Sequence, residues 1–512
     1  MNTYPNYKGK VPKASQTKSI IEIMAHSKDQ AMGIAKNHCL SITNHMENNK
    51  ADNFDFELTN IIMNGNPDNR IDVVFMGDGY TQNEKGKFYS DIQKIVKDMW
   101  EFDTFKPVLP MFNIWAVFVP SKESGLSFLK FQKNTFFNLQ RQQNHLRAIN
   151  PDGGFAAKRI CSQLGTKCDY PSIIANDPFY GGLGGEFIIG TSSPTTGTIV
   201  LRHELGHVLA KVGEEYDGGT LYLGANKAPG NINAVPWQRW ATETLKEEPL
   251  NMLVSARPFE GIEAPYTITF KSSGYQYWQV LISLSGVEDA SAVEVAIDGK
   301  VLTLDSRNTL DRQFYLWQFD KSLQSGDHTL SIKQLRSPSM KDPRNGLTMD
   351  RSVCSVAIHE YKNNVFKTPN KIGAFPSFGY RGNKSLRPMN EYCVMRNMTS
   401  TKFCPLCMEA IHLNFLEKIN LIDVVETSCS SGKGNAVLKA LPYGQFSSKD
   451  STGARYKINW EKDNQVLSHL QGKTAISGLL NGVYTAIVGF TTPYVRLESK
   501  YLQGKKKFEI KC

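Results

Sequence analysis

Between residues 70 and 80 the chain reads RIDVVFMGDGY, an almost unbroken apolar run that ends in a glycine turn. A run of that length, rich in β-branched residues, predicts a strand buried on both faces. Thr81 and Glu84 follow in the positions of a capping box. Behind them Phe88, Ile92, Ile95, Val96 and Met99 recur at helical spacing. MFNIWAVFVPS, from Met111, predicts a second strand, and the pattern adds a strand at 54–63 and a helix at 19–35. Strand, helix and strand, followed by an apolar helix that begins near Thr198, predict an α/β unit with its sheet beside that last helix.

Between 254 and 352 the pattern changes. YTITFKSSG, YWQVLISLSG, AVEVAIDGKVLTL, QFYLWQFD and HTLSIKQL are short β-type runs separated by Gly, Asp and Ser turns, and IDGK is a hairpin signal. They predict a β-sandwich inserted into the α/β unit. YKINWEKDNQVL and GVYTAIVGF predict a second all-β domain near the carboxyl end.

The helix near Thr198 carries the clearest chemistry. In TIVLRHELGHVLAKVGEEYDGG, His203 and His207 stand four residues apart with Glu204 beside the first. On a helix the two imidazoles lie about 40° apart on one face. Leu201, Leu205, Val208, Leu209 and Val212 fall on roughly the opposite face, so the histidines are expected to point away from the packed stripe. Two neutral imidazoles at this spacing can converge on one zinc, while Glu204 reaches a metal-bound water as general base without ligating the metal. A bare H-E-x-x-H also arises by chance on inert surface helices. Here the small Gly206 and Ala210 on the histidine side leave room for another segment to approach. Gly213 is the expected helix stop, and a chain turning back there brings Glu214 or Glu215 to the metal as third ligand. Ordinary metzincin spacing would need its glycine at Ala210 and its third ligand at Gly213, so that pattern fails.

HELGHVLAKVGEEY resembles the signature of the M64 metallopeptidases, the family of bacterial IgA peptidases. RIDVVFMGDGYTQNEKGKF and FNIWAVFVPSKESG are similar to its opening strand, turn and following strand. NDPFYGGLGGEFIIGTSSP is similar to its glycine-rich approach to the zinc helix, and GYRGNKSLRPMNEYCVMR with FCPLCMEAI to its later block. The resemblance implies an α/β zincin-like, metzincin-like catalytic domain with Met395 in a Met-turn beneath the histidines. It implies zinc held by His203, His207 and Glu214, the last standing where relatives usually show Asp, and it implies Glu204 as base. The division that follows is an N-terminal segment at 1–65, a catalytic domain at 66–253 and 353–420, the inserted β-sandwich-like domain at 254–352 and a C-terminal β domain at 421–512.

The remaining features narrow the setting. The 512 residues exceed one comfortable core, and 40% hydrophobic with 21% charged is ordinary globular composition. The net charge of +10 is dispersed and accompanies no nucleic-acid module, and no apolar run is long enough for a membrane span. No signal peptide is visible in the polar opening stretch, yet the cysteines favour an extracellular, secreted protein. Cys429 and Cys512 bracket the last segment and are expected to bond, and CSQLGTKC could close a short loop from Cys161 to Cys168. CPLC could be half a structural zinc site, but no second C-x-x-C partners it, so a disulfide involving Cys393 is expected. Three classes of function are consistent with these residues. One is a zinc metalloendopeptidase acting on a protein or peptide substrate. The others are a non-catalytic protein- or glycan-binding protein on a peptidase scaffold and another zinc hydrolase such as an amidase. The intact His203, Glu204 and His207 speak for the first over the second.

Overall fold

The computed structural model describes residues 54–512 apart from 103, 142–144, 152–153, 186, 220–222, 380 and 448–451. The helix expected at 19–35 and Cys39 lie outside the described residues. The described chain is mostly β-sheet, arranged in many sheets with few helices.

The first sheet contains β1 (Glu57–Met63), β2 (Ile71–Asp78), β3 (Phe112–Phe118), β4 (Tyr170–Ala175) and β5 (Ile188–Thr191), in the order β1-β3-β2-β4-β5. β1 runs antiparallel to β3 and the other pairs are parallel. All eight residues of β2 are buried. Its side chains alternate between two cores: Ile71, Val73 and Phe75 enter one, Val74 and Met76 the other. Apolar residues on both faces are what a parallel sheet covered on both sides requires.

Helix α1 (Lys85–Val96) follows β2 through a short 3-10 turn. The expected capping box is present: the Thr81 backbone N–H donates to the Glu84 carboxylate at 3.0 Å and the Thr81 side chain faces the Glu84 backbone N–H. Phe88, Ile92, Ile95, Val96 and Met99 are all buried against one face of the sheet. Helix α2 (Phe155–Leu164) lends Ala157 and Ile160 to the core on the other face. Helix α3 (Gly197–Ala210) follows edge strand β5, and α4 (Pro405–Lys418) packs against α3.

Two antiparallel sheets occupy the middle of the chain. One holds Leu250–Ala256, Ser352–Tyr361, Tyr277–Ser285 and Gln313–Phe319, in that order. The other holds Tyr266–Ser272, Gly326–Gln334, Val293–Ile297 and Lys300–Leu302. Their inward residues, Val280, Ile282, Val295, Leu330 and Ile358 among them, form a core of their own. The IDGK hairpin pairs Ile297 with Lys300 across Asp298 and Gly299, both at positive φ, as a type I′ turn demands. The strands after residue 421 share a core with the first sheet through Phe415, Leu416 and Ile419 of α4. Disulfides join Cys161 to Cys168 and, as expected, Cys429 to Cys512. Among the described residues no helix is long and apolar enough to cross a membrane.

Two expectations are corrected. Helix α3 ends at Ala210, and the stop is Lys211 in the left-handed region at φ 52°, not Gly213. The early stop frees the Val212 carbonyl to meet the His207 ring. The histidine side of α3 is closely approached, as Gly206 led us to expect: the turn at 393–396 covers it and His203 is only 2% exposed. Cys393 forms no disulfide: Cys393, Cys404 and Cys407 are buried free thiols, with Sγ atoms 3.7 Å apart for Cys393–Cys407 and 3.4 Å for Cys404–Cys407.

Candidate active site

His203 and His207 leave α3 one turn apart, and their rings stand nearly perpendicular at 85°. Each ring is oriented through Nδ1, which donates to a backbone carbonyl: Val394 O at 3.2 Å for His203 and Val212 O at 2.9 Å for His207. That turns both Nε2 atoms inward, where deprotonated they offer their lone pairs. The chain returns after Lys211 and brings Glu214 Oε2 to 3.2 Å from His203 Nε2 and 3.5 Å from His207 Nε2, while the two Nε2 atoms are 3.1 Å apart.

Three acceptor atoms pointed at one another repel unless a cation lies between them. The triangle has the size that a cation needs. A tetrahedral ion with ligands at about 2.0–2.1 Å has edges of about 3.3–3.4 Å. The electrostatics agree. Burial disfavours charge on His203, but the Glu214 carboxylate outweighs it and pushes the pKa up to about 9. Burial likewise opposes ionisation of Glu214, and the two imidazoles hold it well below the usual carboxylate range. The cluster therefore favours positive charge at its centre, and these three residues can hold a metal.

Glu204 is half-buried on the same helix. Its Oε2 occupies the place that a side chain on Gly184 would take, since a Cβ there would lie 2.0 Å from it. A glycine in the segment before β5 thus makes room for the carboxylate. Gly206 plays the corresponding part under the histidines: a Cβ there would lie 2.7 Å from Met395 Sδ and from Phe403. Met395 is fully buried in a tight turn closed by the Arg396 N–H on Cys393 O at 2.9 Å.

Of the four residues singled out from the sequence, His203, His207 and Glu214 come together in one cluster, and Glu204 lies beside it on α3. Glu215 faces away from the imidazoles. Sequence reasoning missed the bracing around the return loop. Asn226 Oδ1 accepts from Gly213 N at 2.6 Å while its Nδ2 donates to Gly213 O at 3.1 Å, and buried Lys227 donates to Glu214 O. Asp217 accepts from Arg396 at 2.6 Å and pairs with His359 at 2.8 Å. Arg257, at the start of the middle β region, stacks over Tyr216 at 4.4 Å, and the Tyr216 ring lies 5.8 Å from His203. Burial and then the charge of Glu214 push the Tyr216 phenol well above its ordinary range. The Tyr was visible in the motif; the arginine has no local signal.

Residues 59–256 match the model of the family described as IgA Peptidase M64. No curated protein matches the chain. Among solved structures, the chain is similar to the EclA C-terminal domain, a sugar-binding protein, at 14% identity over 24% of this chain and 86% of that one, with a TM-score of 0.14. It is similar to a Lactobacillus rhamnosus beta-glucuronidase at 9% identity over 48% of this chain and 35% of that one, TM-score 0.12. A third likeness is to CBM51-2 in complex with GlcNAc and INT domains from Clostridium perfringens ZmpB, at 10% identity over 52% and 80%, TM-score 0.12. Likenesses this slight say nothing about activity. The family match is different, because the matched segment contains α3 with both histidines, Glu204 and the loop with Glu214. Through it residues 59–256 are similar to the M64 peptidase family.

Proposed function

We propose that the chain is a zinc-dependent endopeptidase in which His203, His207 and Glu214 hold the metal and Glu204 is the general base. The observation that carries this reading is the triangle of two imidazole nitrogens and one carboxylate oxygen, with sides of 3.1, 3.2 and 3.5 Å. Two nitrogens and one oxygen suit zinc, and three protein ligands with a fourth position left open are the pattern of a catalytic site. Bound there, zinc supplies a Lewis acid that polarises a carbonyl and lowers the pKa of water towards neutrality. Glu204 takes a proton from the attacking water as its oxygen adds to the scissile carbonyl carbon. The same carboxyl group then gives that proton to the leaving amine nitrogen as the carbon–nitrogen bond breaks. Val394 and Val212 hold the imidazoles by Nδ1, which turns each Nε2 towards the metal position.

The mixed sheet beside α3 and the Met395 turn under Gly206 support a zincin-like, metzincin-like catalytic domain formed by 66–253 and 353–420. The separate core of the middle sheets supports an inserted β-sandwich at 254–352. In this reading 1–65 is an N-terminal segment and 421–512 a C-terminal β domain. The two disulfides support an oxidising, extracellular setting. The substrate is a protein or peptide. Metal analysis paired with cleavage of a mixed peptide library tests the reading: zinc with cleavage abolished by a chelator is expected. Zinc without any peptide cleavage would move the chain to another zinc hydrolase class, such as an amidase.

A further inference from the structure

Glu215 is fully buried and turned away from the histidines. Its Oε1 accepts from Asn226 Nδ2 at 2.5 Å, while its Oε2 is buried with no hydrogen-bond partner. An unpartnered carboxylate oxygen in the interior is costly unless a cation answers it. Opposite stand the thiols of Cys393, Cys404 and Cys407, all buried, and the four ligating atoms lie within 4.8 Å of one another. Their sulfur separations of 3.7 and 3.4 Å are far outside a disulfide bond of about 2.05 Å. They are close to the edge of about 3.7–3.8 Å of a tetrahedron with metal–sulfur distances of about 2.3 Å.

The surroundings suit thiolates. Cys404 caps the N-terminus of α4, where the helix dipole favours negative charge. Its Sγ accepts from the Cys407 N–H at 3.4 Å, and Cys393 Sγ accepts from the Cys404 N–H at 3.3 Å. The buried cations Lys227 and Arg387 act on Glu215 with opposite charge.

We propose that Cys393, Cys404, Cys407 and Glu215 form a second zinc site, structural in role and distinct from the histidine cluster. Three sulfurs select zinc over hard cations, and four protein ligands leave no open position for substrate. The site ties together the return loop, the turn that carries Met395 and the start of α4. Glu215 adjoins Glu214, so a metal here fixes the backbone that presents Glu214 to the histidines. Such an ion positions the active site without touching substrate.

The test uses the full chain, purified without chelator. The expected content is about two zinc ions per chain. Replacing zinc by cobalt should give a thiolate-to-metal charge-transfer band in the near ultraviolet, which nitrogen and oxygen ligands cannot produce. The H203A/H207A variant should lose one equivalent of metal and keep the band; the C404S/C407S variant should lose the band. Because the band comes from the cysteines alone, failure of the histidine assignment would leave it in place. A parent protein whose cobalt form shows no such band would overturn the proposal, whatever the variants do. So would peptide mapping that found Cys404 and Cys407 joined as a disulfide in the native chain.

Discussion

Gly184→Ala is a small change with a large expected effect. A Cβ at residue 184 would lie 2.0 Å from Glu204 Oε2 and 3.0 Å from its Cδ, whereas ordinary contact begins at 3.4 Å. The carboxylate must therefore retreat by about 1.4 Å, the difference between the contact distance and 2.0 Å. The Gly184 backbone is outside the left-handed region, so alanine adopts it without strain, and the clashing atoms are the far end of a flexible side chain. Stability should then change by less than about 1 kcal/mol. Displacing a positioned group by about 1 Å costs about 10²-fold in rate, and losing a base altogether costs about 10²–10⁴-fold. We expect kcat on a quenched fluorescent peptide to fall by about 10²-fold, with metal content and melting temperature close to the parent. The double variant with Glu204→Gln should be no slower than Glu204→Gln alone, because both changes disable one group. A fully metallated Gly184→Ala enzyme with kcat within about twofold of the parent would show that Glu204 does not work from this position. Fully additive losses would show that Gly184 acts by another route.

Glu204→Gln should retain zinc and thermal stability while turnover falls by about 10²–10⁴-fold; metal lost together with activity would make Glu204 structural. His203→Ala should remove the metal of the histidine site and all peptide cleavage, read by metal analysis and the same peptide assay, and a variant retaining both would sink the ligand assignment. Breaking the Cys429–Cys512 bond, which spans 83 residues, should lower stability by about 4–5 kcal/mol on loop entropy, seen as a lower guanidinium midpoint; an unchanged midpoint would mean that the C-terminal strands are held by packing alone. Acid should weaken the fold through His412, whose burial lowers its pKa from 6.5 to about 4 while its Nε2 accepts from the Tyr443 hydroxyl at 2.8 Å. The unfolded chain binds that proton first, so this contribution is complete above about pH 6.5 and is lost as pH falls towards 4, about 2 kcal/mol of it by pH 5. His412→Gln should flatten that part of the stability–pH curve, and parallel curves for parent and variant would refute it.

The parts of the fold legible in the sequence are those fixed by local rules. β2 announces itself through an apolar run, α1 through its cap and spacing, and the hairpin at Asp298–Gly299 through a turn that needs positive φ. The histidine spacing is legible for the same reason, since four residues on a helix always share a face. What tertiary packing decides was not legible. The end of α3 is set where the His207 ring needs the Val212 carbonyl and where residue 224 presses close, since a Cβ on Gly224 would lie 2.2 Å from Gly213 N. Gly206 on the histidine side of α3 signals that a segment comes close but not which one: it is a turn almost 200 residues further on, His203 to Val394 being a separation of 191. The cysteine trio was misread because the spacing of CPLC states which thiols are near in sequence, and the fourth group, Glu215, comes from another segment.

Two ligands cost the chain little, because one helix turn sets their spacing. The third is harder, since the loop after Lys211 has no ladder of its own to hold it. Its backbone is instead fixed one group at a time. Gly213 exchanges hydrogen bonds with Asn226, and Glu214 O accepts from Lys227. Glu215 donates its N–H to Met395 O at 3.3 Å, and its carbonyl accepts from Arg396 at 3.1 Å. Asp217 closes the stretch: it accepts from Phe378 N at 2.7 Å and faces both Arg396 and His359. A buried Arg–Asp pair of this kind adds little net stability, but removing one partner leaves a charge stranded in the interior. Its value is positional. With the backbone held between Arg396 and Met395, the side chains of Glu214 and Glu215 are forced to opposite sides, one to the imidazoles and one to the cysteines. Two adjacent and chemically identical residues thus acquire separate tasks from the chain path alone, and the residues that set that path are the ones a search for ligands passes over.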